Sequence, residues 1–296
     1  MQLRKVICLF IFLLSTSVYA QAPDLMQNYS EIMRSIYNYE FDQANRLIKN
    51  SSTNSNQNEL DMLKSNLAWW QIVSGELSES QWTSSYEETT SAVIKRLSKK
   101  AQDSINNDEL AILLHSYFLR TRYNMLRGDY FDGMKDLQNC LAYTKKSLNR
   151  SDESESLNLG AGLYNYLIAK SYDEYLLLRP YLSFYPSGNA DLGLQQIQAC
   201  QNSENRLIRT EARYFLMKIF NEWEDNQERS LEYCTMLCKD YPQNLIFKIY
   251  RIELLHSMEN KEFNSEILAY RSLLRKDVYS PEIRRYFSNL LDEKFN

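Results

Sequence analysis

The stretch Arg127-Gly128-Asp129-Tyr130-Phe131-Asp132-Gly133-Met134 decides the fold, because it breaks one helical run and opens the next. After it, Tyr130, Met134, Leu137, Leu141 and Leu148 recur at steps of three, four and seven, the spacing of one helix face. Gly133 gives this face a small residue one turn in. The same position is held by Ala44, Gly193, Ser230 and Glu266 in other segments. Four residues on stand Ile48, Leu137, Ile197, Cys234 and Tyr270; seven on stand Ser51, Cys140, Cys200, Leu237 and Leu273. Small, apolar, small-or-apolar is the pattern of a helix pressed against a partner helix, with the small residue at the closest crossing. The marks are 89, 60, 37 and 36 residues apart, and the last two intervals approach the period of about 34 residues of helix–turn–helix repeats.

Working outward, residues 24–38 and 41–50 read as a first hairpin. Helices follow near 60–75, 80–100, 108–127 and 129–148, then a charged linker at 149–156. Beyond residue 190 come six more helical runs with short turns, at 190–201, 206–223, 226–241, 245–258, 262–276 and 281–292. Seven glycines and five prolines in 296 residues are too few for the turns of a sandwich or barrel. The expected class is all-α: antiparallel helical hairpins stacked as an α-solenoid, with a non-helical insertion near the middle.

That insertion lies in Gly160–Leu194, which holds four of the seven glycines, two of the five prolines and six of the 22 tyrosines. The expectation is a helix over 164–178, and a non-helical plug over 179–189 that folds back on it before the repeat register resumes at Gly193. The aromatic residues and the cation here, Tyr164, Tyr166, Tyr172, Tyr175, Arg179, Tyr181 and Tyr185, are the candidate ligand- or partner-binding residues. Tyrosine combines rigid apolar area with a polar tip, which suits a binding surface and equally suits filling gaps between helices.

The N-terminus reads as a processing segment. Arg4 and Lys5 precede an apolar run from Val6 to Leu14, and small residues surround a cut after Ala20. The run is too short to span a bilayer, and no transmembrane segment is expected after its removal. Removal takes two basic residues and no carboxylate, so the net charge falls from −4 to −6. Such a chain lacks the basic footprint of a nucleic-acid binder. Cys140, Cys200, Cys234 and Cys238 remain, and they allow three disulfide pairings.

Arg127–Met134 also resembles the entry to the second helix of the tetratricopeptide-repeat family, G-[DN]-Y-x-x-A-[LI]. Tyr39-Glu40-Phe41-Asp42-Gln43-Ala44 resembles a second copy, and Asp240-Tyr241-Pro242-Gln243-Asn244 the family's repeat-ending Pro-x-Asn turn. The resemblance implies a TPR-like scaffold whose concave face binds peptides or proteins. With the short leader it also implies an exported protein, periplasmic or outer-surface or secreted, in a bacterium.

No chemistry of catalysis stands out. His115 and His256 are the only histidines, outside any metal-ligand spacing, and read as packing residues. Phosphate-binding glycine loops and a G-x-S-x-G elbow are absent. No enzyme, catalytic residue, metal or cofactor is expected. Cys234 and Cys238 share a helix face, which suits core packing more than half a metal site. The expected organisation is a leader at 1–20, a repeat block at 21–156, a helix plus insertion at 157–189 and a second repeat block at 190–296. The expected function is partner binding in the cell envelope, an envelope protein or peptide being the partner. The alternative is binding of a glycan or other envelope small molecule by the tyrosine-rich centre.

Overall fold

The computed structural model describes residues 23–51, 56–76, 80–100, 104–176 and 179–295; the expected leader lies outside them. The chain is 81% helical with no strand among the described residues, which makes the class all-α. Among the described residues, thirteen α-helices of 11 to 21 residues and one four-residue helical turn follow one another. They are α1 (Pro23–Tyr37), α2 (Phe41–Ser51), α3 (Gln57–Gln71), α4 (Ser80–Leu97), α5 (Asn107–Arg127), α6 (Tyr130–Leu148) and α7 (Glu155–Glu174). After these come the turn α8 (Arg179–Leu182), then α9 (Ala190–Cys200), α10 (Arg206–Glu222), α11 (Gln227–Asp240), α12 (Leu245–Ser257), α13 (Phe263–Leu273) and α14 (Pro281–Phe295). Consecutive helices pack in pairs, as a helical repeat requires.

Side-chain caps start the helices where the sequence places Asn or Ser. Asn106, Ser154, Asn189, Asn226 and Asn244 each accept a hydrogen bond from the backbone N–H three residues on. Each satisfies one of the four N–H groups that a helix start leaves without a partner. Gly128 ends α5 at φ 84°, and its N–H donates to the carbonyls of Asn124 and Met125. The left-handed residue five positions before the register mark is glycine only in this hairpin. Tyr39, five before Ala44, has φ 62°, and Asp225, five before Ser230, has φ 46°.

The register pattern is realised in packing. Ala44 and Ser230 are fully buried, and the Ser230 hydroxyl donates to the Met217 carbonyl at 2.8 Å. Ile48, Leu137, Ile197, Cys234 and Tyr270 are all buried, as are Cys140, Cys200, Leu237 and Leu273. Glu266, the one carboxylate at the small-residue position, is accommodated by cations: Arg251 pairs with it, and Lys248 Nζ lies 3.8 Å away.

Contacts divide the chain into two compact units that cut across the blocks read from the sequence. The first contains residues 56–62 and 87–212; the second contains 24–55, 63–86 and 213–296. In the first unit α5 pairs with α6 and α7 with α9. The α7/α9 crossing is a backbone contact between glycines: a Cβ on Gly193 would lie 2.4 Å from the Tyr166 nitrogen, and one on Gly162 3.0 Å from the Gly193 carbonyl oxygen. The insertion therefore sits inside the α7/α9 hairpin, as an enlarged turn, rather than between two repeats.

In the second unit the first hairpin of the chain joins the last ones. Tyr39, Ile249, Ile252, Tyr270, Tyr279 and Phe287 share one apolar cluster, with Phe41 and Trp70 packed on it. Tyr39 makes edge contacts with the rings of Tyr279 at 6.0 Å and Phe287 at 6.3 Å. Asn244, the last residue of the Pro-x-Asn turn, caps α12 through its side-chain oxygen, while its Nδ2 donates to the Tyr37 carbonyl at 2.7 Å. Asn38 Oδ1 accepts from the Gln243 N–H at 3.0 Å. A cap and a turn near the two ends of the chain are thus stitched together.

Candidate functional site

The tyrosine-rich segment is split between core and surface. α7 runs from Glu155 to Glu174, starting earlier than the sequence reading because Ser154 supplies the cap, and ending four residues sooner. The plug is not wholly non-helical, since Arg179–Leu182 forms one helical turn with Pro180 at its start, where a missing N–H costs nothing. It does fold back: the Tyr164 hydroxyl donates to the Pro186 carbonyl at 2.7 Å, and Gly188 lies so close that a Cβ there would be 2.3 Å from the Asn165 carbonyl oxygen. Tyr164 and Tyr166 are each 1% exposed. Burial pushes the Tyr164 phenol up to about 12. Tyr172 and Arg179 face solvent together. The guanidinium sits 5.1 Å from the Tyr172 ring centroid, and its Nε donates to the Tyr172 carbonyl at 2.8 Å. Tyr175 and Tyr185 are half-buried, and the side chain of Tyr181 lies outside the described residues. The segment is chiefly a fastener of the α7/α9 hairpin.

A better-formed concavity lies in the second unit, where α10 and α12 are the first helices of two successive hairpins. Between them is a cleft of about 300 Å³, lined by Lys218, Asn221, Gln227, Tyr250, Glu253 and Ser257 among others. Lys218 and Asn221 on α10 stand three apart, as do Tyr250 and Glu253 on α12, so each helix turns one face to the cleft, and Gln227 of α11 joins them. The Lys218 ammonium lies 4.8 Å from the Tyr250 ring centroid and pairs with Glu222; Glu253 pairs with Lys294. Burial alone would lower the Lys218 ammonium, but Tyr250 and Glu222 hold it above its ordinary value. The cleft offers both signs of charge, an aromatic face, an amide and hydroxyls. The sequence reading missed these residues. The available signal was the polar and aromatic residues three apart on the first helices, which a search along the second helices does not see.

Of the remaining reactive groups, the four cysteines and His115 are buried, whereas His256 is exposed. All four described cysteines are free thiols. Burial pushes Cys140 and Cys200 up to about 12, which suppresses the thiolate. Cys234 donates to the Phe247 carbonyl at 3.4 Å. Cys238 is lowered by the adjoining Cys234 thiol and by Lys248 and Arg251 nearby. His115 is 1% exposed, and His256 packs against the rings of Phe263 and Phe295. Among the described residues no three His, Cys, Asp or Glu side chains converge as a metal site, and no helix is long and apolar enough to cross a membrane. The chain matches no family model, no curated protein and no solved structure at a significant level.

Proposed function

We propose that this chain is an exported, TPR-like scaffold that holds a partner polypeptide in the cell envelope and carries no catalytic chemistry of its own. The observation behind this reading is the α10/α12 cleft. It is lined by facing sides of successive first helices together with α11, and its mixed lining suits a polypeptide better than a single ion. Lys218 and Glu253 can each exchange an intramolecular ion pair for one with the partner, and Tyr250 supplies the rigid aromatic area typical of protein-binding hot spots. The leader-like segment at 1–20 and the repeat turns at 39–44, 127–134 and 240–244 support the exported, TPR-like part of the reading.

A photocrosslinking residue at Asn221, introduced in the native host, tests it. The expected result is one or a few discrete crosslinked envelope proteins, lost when Tyr250→Ala and Lys218→Ala are combined. Crosslinks that persist unchanged in that double variant, or a purely uncrosslinked monomer, would sink the proposal.

A further inference from the structure

One wall of the α10/α12 cleft already holds a cation that comes from elsewhere in the chain. Glu253 on α12 pairs with Lys294, in the last turn of α14. Their side chains are 31% and 41% exposed, so the pair is open to water. Tyr250, Glu253 and Ser257 stand three and four residues apart on α12 and all line the cleft. That spacing puts a ring, a carboxylate and a hydroxyl on one helix face, with neighbouring Cβ atoms about 5–6 Å apart. Met217, Leu254 and Ser230, all buried, form the base between the two walls.

The two charges of the cleft differ in how readily they change partners. Lys218 is 15% exposed, lies 4.8 Å from the Tyr250 ring centroid, and pairs with Glu222 four residues on in its own helix. A partner carboxylate would have to displace a counter-ion that α10 itself holds in place. Glu253 takes its cation from the flexible stem of a lysine on another helix, and exposed pairs of this kind contribute little to stability. The cleft volume of about 300 Å³ equals that of about ten water molecules, room for one long side chain rather than a folded segment. An excess of acidic residues, 38 against 34 basic, also draws a basic partner. Arginine answers this lining best. Its planar fork of N–H donors can take the Glu253 carboxylate bidentately, which an ammonium cannot do. The amide oxygens of Asn221 and Gln227 and the Ser257 hydroxyl offer acceptors for the remaining donors. The alkyl stem can cover Leu254 and the Tyr250 ring. We infer that the cleft anchors its partner through an arginine side chain that displaces Lys294 from Glu253, making Lys294 a built-in competitor. This inference rests on the partner-holding reading of the cleft.

Fluorescence anisotropy of the full chain with labelled glycine–serine peptides carrying a central arginine, citrulline or glutamate tests it. Citrulline keeps the shape of arginine and removes its charge. The expected result is saturable binding of the arginine peptide, at least tenfold tighter than either of the others. Glu253→Gln should cost that binding at least tenfold, while Lys294→Ala should tighten it severalfold, a gain that a merely structural ion pair would not give. If either variant fails to fold, the three-peptide comparison on the unaltered chain decides. Equal binding of arginine and citrulline, preference for glutamate, no saturable binding, or a folded Lys294→Ala variant that binds no tighter would each overturn the assignment. In the native host, Asn221 crosslinks should also be lost in Glu253→Gln. Crosslinks that survive Glu253→Gln but vanish in the Tyr250→Ala and Lys218→Ala double variant would reject the arginine anchor and leave the scaffold standing. No crosslink at all would reject the scaffold itself.

Discussion

At the residue scale, backbone handedness and buried charge set the sharpest expectations. Gly128, Tyr39 and Asp225 occupy equivalent left-handed turn positions, where an L side chain costs roughly 1–2 kcal/mol. Gly128 has nothing within 4 Å of the position a Cβ would take, so Gly128→Ala isolates the conformational cost and is expected to destabilise by about 1–2 kcal/mol. Asp225 is exposed, so Asp225→Gly relieves the same strain, less the greater freedom glycine gives the unfolded chain; the expected gain is about 0.5 kcal/mol. Urea unfolding of both variants checks the pair, and a stabilised Gly128→Ala or a destabilised Asp225→Gly would refute the shared geometry. His115 gives the pH expectation. Burial, reinforced by Arg122, lowers its pKa to about 3, so it is neutral in the folded chain. The unfolded chain takes up a proton below its pKa of about 6.5, so this stability is present above 6.5 and is lost as pH falls towards 3. Between pH 7 and 5 the loss from this group is on the order of 2 kcal/mol, and His115→Gln should reduce the measured pH dependence by that amount.

At the element scale, the two glycine crossings separate backbone contact from side-chain contact. A Cβ on Gly193 meets the α7 backbone, which cannot yield without moving the helix, so Gly193→Ala should cost about 1–3 kcal/mol or more. A Cβ on Gly133 meets the flexible end of Met125 at 2.9 Å, so Gly133→Ala should be close to neutral, with the helix-propensity gain of roughly 0.5–1 kcal/mol offsetting the shift. Thermal unfolding of the two variants decides it, and equal losses would show that the crossings are alike. Much of this level was legible in the sequence, because the small residue, the apolar residue four on and the buried residue seven on are spaced by helix geometry alone. The left-handed turns at Tyr39 and Asp225 were not legible, since local sequence advertises such turns mainly through glycine. The first-helix cleft was missed for a related reason: a polar residue facing a cleft looks, in one helix, like any solvated residue. The tyrosines of the centre misled because burial depends on where the plug folds, which composition does not encode.

At the scale of the whole molecule, the second unit is completed by segments from both ends of the chain. An open repeat array tolerates loss of a terminal hairpin, because each repeat touches only its neighbours. Here Trp70 and Tyr39 share a core with Tyr279 and Phe287. A fragment beginning at residue 213 is therefore expected to lack cooperative thermal unfolding, whereas the full chain retains it; a sharp transition in the fragment would contradict the shared core. Sequence could suggest hairpins but not this closure, which rests on contacts such as Asn244 to Tyr37, 207 positions apart. The same closure places a demand on biosynthesis. Tyr39 leaves the ribosome 248 residues before Phe287. At about 5–20 residues per second, the aromatic face of the first hairpin waits roughly 12–50 seconds for its cover. During that interval the nascent chain needs either a chaperone on Tyr37, Tyr39 and Phe41 or delivery to its destination before folding begins.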